Sequence, residues 1–418
     1  MAFFDRLVAW RRPTAAPRAS DAGVLISTTQ ELEAALKGEG VSNSGVPVTP
    51  DTAMREAVTY RSVGLISGAV ATMPLDLKRR VDKKTREDAD DHPLWSVLKR
   101  KPNRWQKPAQ FRRMMEAQKQ LRGNAFALKV RSPLGKKQVT ELIPFRPGSI
   151  QVKQRDDLLL EYHYTAKDGS RRVFAQEDVF HLMGLTLDGI TGVSPITYAR
   201  ESIGASLSME KHGANVFKNG AQVGGVLSHP STLGPDGQTN LRASLDAYRS
   251  NGDKAGAALI LEEGMKFENI TMSSTDAQWI ESRKFTRTDI AMFFGVPPHM
   301  LGDTEKSTSW GTGMEQQTQG FITFSLEDHL TTWEESINAD LIDEPDIYAK
   351  FNRAALVRGD LKARWEAYVK SLQWGVNSPN EVRALEDDNP REGGDVYYDP
   401  PNTAGESEGT RDEPETVS

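Results

Sequence analysis

Apolar residues recur every three or four positions in several long stretches of the chain, a spacing that predicts amphipathic helices. The first such helix covers 51–73, with Thr52 as its cap. The second starts at Ser194, an N-cap followed by proline, and would extend about 38 Å to Asn219 at 1.5 Å per residue. The third runs over 276–294 and stops at a Gly-Val-Pro-Pro corner, because glycine and proline end helices.

Two further helical regions are predicted, at 314–342 and 360–385. In the second region Gly375 ends one helix and Ser378, followed by proline, caps the next. A polar stretch without any period occupies 302–313. This stretch is too long for a simple connection, so we expect a mobile loop with a functional role.

Segments of alternating polarity predict strands between these helices. Within them an Asp-Gly turn at 168–169 indicates a β-hairpin. A strand, helix, strand order over 222–272 predicts a small α+β unit between two long helices. The whole chain is therefore predicted to have an α+β fold, with strands at 75–81, at 126–130 after a turn at 123–125, within 142–182 and at 347–351.

Both ends of the chain are polar and rich in small residues. Residues 1–50 are predicted to form a flexible arm, and the acidic, Gly/Ser-rich segment after Pro390 is predicted to be disordered. The amphipathic start, MAFFDRLVAWRRP, has too short an apolar patch for a secretory signal. No run of eighteen apolar residues occurs, so we expect no transmembrane helix and no membrane partner.

The chain length, net charge and cysteine count exclude several classes of function. The 418 residues allow two or three domains, and the net charge of −6 argues against a protein that coats DNA. The absence of cysteine excludes disulfides, thiolate metal sites and cysteine nucleophiles.

Motifs for catalysis are missing from the sequence. The segment from Gly184 to Gly189 is followed by Ile190 rather than lysine, so it is not a phosphate-binding P-loop. Residues 311–313 lack the third glycine of a dinucleotide loop, and no H-E-x-x-H occurs. We therefore predict no catalytic residues, no metal and no cofactor, and a hydrolase with an unrecognised carboxylate site is the weakest of the alternatives.

His163 and His181 lie on predicted strands without further ligands at metal-binding spacing, which favours packing roles. A basic run over 99–113, interleaved with Trp95 and Trp105, admits two interpretations. It could be a nucleic-acid patch on a monomeric binding protein, or a solvated face or subunit contact. The second is favoured, and the monomeric nucleic-acid-binding protein stays as the main alternative function.

Several distinct motifs follow one another along the chain in a characteristic order. They are a G-x-S-P helix ending in F-x-N-G-A, then D-A-Q-W-I-E-S-R-K, then I-A-M-F-F-G-V-P-P-H-M-L-G, then a Ser/Thr-rich loop and a Glu-Gln helix. Together they resemble the HK97-like portal proteins of tailed bacteriophages, and the resemblance covers roughly 52–400.

The resemblance implies a portal fold with wing, stem, clip and crown regions, long stem helices and a tunnel loop. Its regions would be an N-terminal arm at 1–50, wing at 51–190, first stem helix at 191–220, clip at 221–275, second stem helix at 276–295, tunnel loop and start of the next helix at 296–320, wing return at 321–354, crown helices at 355–395 and an acidic tail at 396–418.

The resemblance also implies a function without enzymatic activity. About twelve copies would form a ring at one vertex of the capsid, through which double-stranded DNA is packaged and ejected. The expected partners are other copies of the chain, DNA in the channel, the large terminase subunit, a head-completion adaptor and the major capsid protein. The expected location is the virion, after assembly in the host cytoplasm.

Candidate site residues follow from the same resemblance. The loop residues expected to face DNA are Lys306, Ser307, Thr308, Ser309 and Trp310. The stem residues expected to line the channel are Glu210, Lys211, Arg283, Lys284 and Arg287. The clip residues expected to dock partners are Asp236, Arg242, Arg249 and Lys254.

Overall fold

The computed structural model describes residues 40–132, 138–218, 226–228, 266–268, 274–302, 319–353, 361–386 and 388–399. These residues form a mixture of helices and small antiparallel sheets, so the predicted α+β class is confirmed. The helices are α1 Pro50–Ala53, α2 Ala57–Thr72, α3 Pro93–Lys99, α4 Pro108–Arg122, α5 Pro195–Tyr198, α6 Arg200–Lys218, α7 Ser274–Phe293, α8 Glu327–Asp340, α9 Leu361–Gln373 and α10 Pro379–Leu385. The strands are β1 Leu75–Arg80, β2 Arg86–Asp88, β3 Asn124–Arg131, β4 Val139–Pro144, β5 Ile150–Gln154, β6 Leu160–Thr165, β7 Arg171–Ala175, β8 Val179–Met183, β9 Val226–Ser228, β10 Lys266–Glu268 and β11 Ile347–Phe351.

The single helix predicted over 51–73 is wrong: the chain forms α1 and then α2. The break arises because Glu56 starts a new helix, its carboxylate accepting a hydrogen bond from the Thr59 amide at 2.7 Å. Thr52 does not cap a long helix either. Its side chain closes a capping box with Thr49 around the short α1.

Two sheets and the helices packed on them build the main core. The sheet β4-β3-β8 and the sheet β11-β1-β2 are both antiparallel. Helix α4 packs on α2 and on β3, while α8 packs on β8 and on β11 and so bridges the two sheets. Trp333 of α8 is fully buried against Phe180 of β8, with ring centroids 6.0 Å apart. This packing holds the sheets and helices together as one unit.

A third sheet, β5-β6-β7, covers a smaller cluster beside the main core. Its inner members, Ile150 and Tyr162, pack with Val179 of β8 and with the aromatic side chains of Phe126 and Phe145. The turn at 167–169 joins β6 to β7, so the predicted Asp-Gly hairpin is confirmed.

Glycines allow two backbone segments to cross at the edge of the main core. The Gly184 amide donates to the Gly123 carbonyl at 2.8 Å, and the Asn124 side chain bonds both the amide and the carbonyl of Gly192 at 2.8 Å. A Cβ atom on Gly192 would clash with the Gly123 carbonyl. This crossing fixes the loop that leads into α5 and α6.

Parts of the segments predicted to be a flexible arm and a disordered tail are ordered. Residues 40–50 belong to the fold, because Ser42 packs on α6 and the Asn43 amide donates to Glu201 at 2.9 Å. Residues 391–399 are ordered as well. The Tyr397 hydroxyl donates to Glu381 at 2.7 Å, and Asp395 accepts from Asn380 at 2.8 Å. Residues 1–39 and 400–418 lie outside the described part.

None of the helices in the described ranges is both long enough and apolar enough to cross a membrane. Within the same ranges, no three His, Cys, Asp or Glu side chains are grouped so as to hold a metal ion.

Candidate functional site

Two helices leave the main core and return to it. Helix α6 has 19 residues and α7 has 20, which makes them about 28 and 30 Å long at 1.5 Å per residue. They pack on each other, and Ile203 near the start of α6 shares a core with Ile290 near the end of α7. The chain therefore runs outward along α6 and back along α7.

Between these helices in the sequence, β9 and β10 pair antiparallel, so the two predicted strands of the 222–272 unit are confirmed. The predicted helix of this unit lies outside the described residues.

The first of these helices is shorter than the predicted 38 Å. Ala199 separates the four-residue α5 from α6, with φ −82° and ψ 5°. Pro195 does occupy the first helical position, but the Ser194 hydroxyl does not cap the helix. It donates to the Leu121 carbonyl at 2.7 Å, which ties the start of the helix to α4.

The base of α6 is anchored to residues far away in sequence. The buried Glu56 carboxylate, which starts α2, also lies 3.5 Å from the Ser206 hydroxyl. A side chain on Gly204 would clash with Ser42. These contacts leave little freedom for the angle at which the helix pair leaves the core.

The candidate stem residues differ in exposure. Glu210 and Lys211 on α6, and Lys284 and Arg287 on α7, are exposed. Arg283 is only partly exposed, and its Nε is buried with no hydrogen-bond partner among the described residues. The described side chains of the pair thus present charges of both signs to solvent.

The Gly-Val-Pro-Pro corner at the end of α7 is confirmed. Gly295 has φ +64°, a left-handed conformation that glycine adopts without strain. Its carbonyl accepts a hydrogen bond from the Ser325 hydroxyl at 2.6 Å. Ser325 lies in a π-helical turn, Ile322–Leu326, that leads into α8, and such turns are common at functional sites.

The segment between the corner and this π-helical turn contains the candidate residues Lys306, Ser307, Thr308, Ser309 and Trp310, which fall outside the described residues. The same holds for the candidate clip residues Asp236, Arg242, Arg249 and Lys254. Their predicted roles stay predictions.

Helix α8 is fixed on one face by a buried carboxylate. Glu116 of α4 accepts from the Trp333 indole at 2.8 Å, and it lies 2.7 Å from His329 Nδ1 and 3.2 Å from Lys119 Nζ. Burial opposes ionisation, but the charge of Lys119 and the bonds from His329 and Trp333 lower the pKa of Glu116 to about 2. Glu116 is therefore a buried, ionised anchor for α8.

A second contact holds α8, at the C-terminal end of β11. Arg353 donates to Glu327 at 2.6 Å and also to Glu334. The hydrogen bond with Glu327 is the main reason that the pKa of Arg353 is raised. No pattern in the sequence indicated the role of Glu116, and for Arg353 there was only a general excess of acidic residues on α8.

Three cations of the basic run at 99–113 contact other parts of the fold, although most cations of the run are exposed. Lys99 pairs with Asp76 at 2.6 Å, and Arg112 donates to the Ala71 carbonyl at 2.7 Å. Arg104 lies 3.5 Å from Glu141. These contacts favour the structural interpretation of the run over a nucleic-acid patch.

His181 has a packing role, as predicted. Its Nε2 lies 2.9 Å from Asn124 Oδ1, and its Nδ1 lies 3.3 Å from the Tyr162 hydroxyl. Burial lowers the pKa of His181 to about 4, so the ring is neutral at pH 7. It links the glycine crossing to the third sheet. His163 pairs locally with Glu161 at 2.6 Å.

Comparisons with known proteins agree with this architecture. The family model for phage portal proteins matches residues 57–387. The portal protein of Enterobacteria phage HK97 is 34% identical over 354 residues, covering 84% of this chain and 82% of that protein. The probable portal protein of Streptomyces phage phiC31 is 35% identical over 369 residues, covering 84% of this chain and 78% of that protein.

Solved structures show the same fold. A chain in the virion of a native gene transfer agent particle matches with a TM-score of 0.56 at 22% identity, over 86% of this chain and 99% of that chain. An HK97-family phage portal protein from Corynebacterium diphtheriae matches with a TM-score of 0.54 at 18% identity, over 75% of this chain and 99% of that chain. The chain therefore belongs to the phage portal protein family and has a portal function.

Proposed function

We propose that this chain is the subunit of a ring of about twelve copies at one vertex of a capsid, with double-stranded DNA passing along the ring axis. The helix pair α6 and α7, which leaves the core and returns to it, carries the proposal. Packed side by side around an axis, such pairs would build the wall of a channel. Support also comes from a related neck structure solved with C12 symmetry.

In this arrangement residues 51–190 and 321–354 form the wing, and α6 and α7 form the stem. Residues 221–275 form the clip, 296–320 hold the tunnel loop, and 355–395 form the crown. The rigid junctions support this division. Glu56 and Ser42 fix the base of α6, and Glu116 fixes α8 behind the loop.

A DNA channel must guide the duplex without gripping it. Each phosphate that a lysine or arginine neutralises adds salt-dependent affinity, so a continuous basic wall would resist movement. The exposed stem charges are of both signs, with Glu210 beside Lys211, and the whole chain carries −6. In the proposed ring Glu210, Lys211, Arg283, Lys284 and Arg287 line the channel, and Lys306 to Trp310 touch DNA.

The proposed partners are those that a channel at the vertex would contact during packaging and after it. The clip would dock the large terminase subunit during packaging and a head-completion adaptor afterwards, through Asp236, Arg242, Arg249 and Lys254. The wing would contact the major capsid protein. The chain has no enzymatic role in this scheme, because the packaging motor supplies the work. The proposed location is the virion, after assembly in the host cytoplasm.

The mass of the purified full-length protein in solution tests the proposal. We expect a ring with a central hole in electron micrographs and a mass of roughly twelve subunits. A protein that stays a single copy across the assembly conditions tested contradicts the proposal, and the monomeric nucleic-acid-binding alternative would then be preferred.

A further inference from the structure

The loop between α3 and α4, residues 100–107, is held against β4 by a buried amide. The Asn103 side chain is 1% exposed, and its Oδ1 accepts from the amides of Trp105 and Gln106 at 3.2 and 2.9 Å. Its Nδ2 donates to the Leu142 carbonyl at 3.0 Å, and the Leu142 amide donates back to the loop at 2.7 Å. These bonds fix the backbone that carries Trp105.

Trp105 itself has no packing role in the described part of the chain. Its side chain is 61% exposed and belongs to neither hydrophobic cluster, whereas the neighbouring Trp95 packs on the main core. A tryptophan on a fixed backbone loses little conformational freedom when a partner binds, and tryptophan is among the residues that most often anchor interfaces. Trp105 is therefore suited to be such an anchor.

The cations of the same loop are available for a partner. Lys99 is paired with Asp76 and Arg104 with Glu141, as described above. Three other cations of the loop are exposed and form no ion pair within the described ranges, namely Arg100, Lys101 and Lys107. With Trp105 they define what we call the Trp105 surface. It carries a surplus of positive charge on a chain whose net charge is −6.

Positive charges around one aromatic ring fit an acidic polypeptide segment that also carries an apolar side chain. Complementary charges direct such a segment to its site, and the ring supplies apolar contact area. Nucleic acid fits less well, because proteins that bind single strands stack successive bases on several aromatic side chains along a groove. Trp105 is the one aromatic residue of this loop.

The position of the surface also disfavours DNA. Helix α4 has 15 residues and is about 22 Å long, with the loop at its N-terminal end. Ser194, where the chain enters the outgoing helices, is bound to Leu121 near the C-terminal end of α4. In the proposed ring the DNA follows the helix pair, so the DNA path and the Trp105 surface lie at opposite ends of α4.

We propose that the Trp105 surface docks an acidic segment of a partner protein, with carboxylates on Arg100, Lys101 and Lys107 and an apolar side chain on the Trp105 ring. The chain's own residues 400–418 are also acidic, with five carboxylates and one arginine, but they include no aromatic residue for the tryptophan. The proposal gives the proposed wing a protein-docking site outside the channel, and it holds or fails independently of the ring.

Binding of a defined peptide to the full-length protein tests the surface. The probe is a fluorescent peptide of repeated Glu-Glu-Leu units, and the same peptide with glutamine in place of glutamate is its control. We expect fluorescence anisotropy to show saturable binding of the acidic peptide. The neutral peptide should bind at least about tenfold more weakly, because it lacks the charges that complement the cations.

Substitutions in the surface should weaken this binding. We expect Trp105→Ala, and separately the double variant Lys101→Gln/Lys107→Gln, to raise the dissociation constant of the acidic peptide by about tenfold or more. Trp105→Phe, which keeps an aromatic ring, should raise it by less than about threefold. Thermal unfolding of each variant establishes that it is folded.

Two matched controls alter exposed side chains elsewhere. Trp374→Ala removes a tryptophan that is 62% exposed, and Lys83→Gln/Lys84→Gln removes two exposed lysines. Both should leave the dissociation constant within about twofold of the wild type.

The remaining outcomes would each overturn the proposal. Peptide binding that is unchanged in Trp105→Ala and in Lys101→Gln/Lys107→Gln shows that the surface is not the site. Tighter binding of an oligodeoxythymidine, lost in the same variants, shows that nucleic acid is the occupant. Deletion of 400–418 should change peptide affinity by less than about twofold, and a gain of about tenfold shows that the chain's own tail fills the surface. None of these results affects the ring, which is tested by its mass.

Discussion

At the scale of single residues, two buried titratable groups make the stability of the core depend on pH. His181 has its pKa lowered from 6.5 to about 4 by burial, so the unfolded chain takes up this proton first. The stability from its neutral form is present above pH 6.5 and is lost as the pH falls through about 4. Glu116 has its pKa lowered from 4.5 to about 2, so its contribution is lost at lower pH, as the pH falls below 4.5 toward about 2.

We predict that Glu116→Gln lowers the free energy of unfolding by about 3 kcal/mol at neutral pH, because it removes the charge that pairs with Lys119 and His329 inside the core. The loss should shrink as the pH falls toward about 2, where wild-type Glu116 is itself protonated. Urea unfolding at several pH values measures both effects.

The control for this variant is Glu335→Gln, a change at an exposed carboxylate on α8. It should alter the free energy of unfolding by less than about 0.5 kcal/mol. An equal loss in the two variants, or a loss in Glu116→Gln that does not depend on pH, would contradict the assignment of Glu116 as an ionised anchor.

At the scale of elements, the local signals in the sequence were sufficient where the cause of a boundary is local. The corner after α7 follows from Gly295 and the prolines beside it, and the start of α10 follows from Ser378. The break before α2 was missed because its cap is Glu56, and glutamate is not one of the usual N-cap residues; its carboxylate accepts from the Thr59 amide and also contacts Ser206, 150 residues away. The order of residues 391–399 was missed because it depends on folded contacts, in which Tyr397 and Asp395 are held by α10.

We predict that Gly295→Ala destabilises the junction between α7 and the π-helical turn by about 1–2 kcal/mol, because a Cβ atom is strained at φ +64°. The new Cβ would also lie 3.2 Å from the Ser325 hydroxyl, which must move. Hydrogen exchange at the amides of 322–330 should report the local loss, and thermal unfolding the global one.

Gly320→Ala is the matched control, because Gly320 lies in a helical turn with open space around a Cβ atom. It should be neutral or stabilising by up to about 1 kcal/mol, since alanine favours helix over glycine. Equal effects of the two variants would contradict the claim that the left-handed conformation at the corner requires glycine.

At the scale of the whole molecule, rigid supports surround the parts proposed to act on DNA. Glu56 fixes α6, Glu116 and Arg353 fix α8, and the glycine crossing fixes the segment before α5. The sequence predicted the returning helix, the corner and most of the outgoing helix, but not the break at Ala199 or these supports. Buried charges at long sequence separation have no periodic signature, so only the folded chain reveals them.

We predict that charge reversals within 237–254, which the proposed function assigns to the clip, weaken docking of the terminase or the adaptor without dissociating the ring. The physical reason is that complementary charges at an interface set both its rate of formation and its specificity. Binding of the purified motor protein to preformed rings, at low and high salt, measures the effect. Unchanged docking at both salt concentrations would contradict the clip assignment.

We predict that deleting residues 304–311 leaves the ring intact and impairs DNA packaging or retention. The ring should survive because the supports of α6 and α8 lie outside the deleted segment, whereas the loss of Lys306 and Trp310 removes the groups proposed to touch DNA. Ring mass and the amount of nuclease-protected DNA in particles measure the two results.

A second variant replaces the segment by Gly-Ser repeats of equal length. It should show the same packaging defect if side chains rather than chain length act on DNA. Normal packaging and retention in both variants would reject the role of the loop.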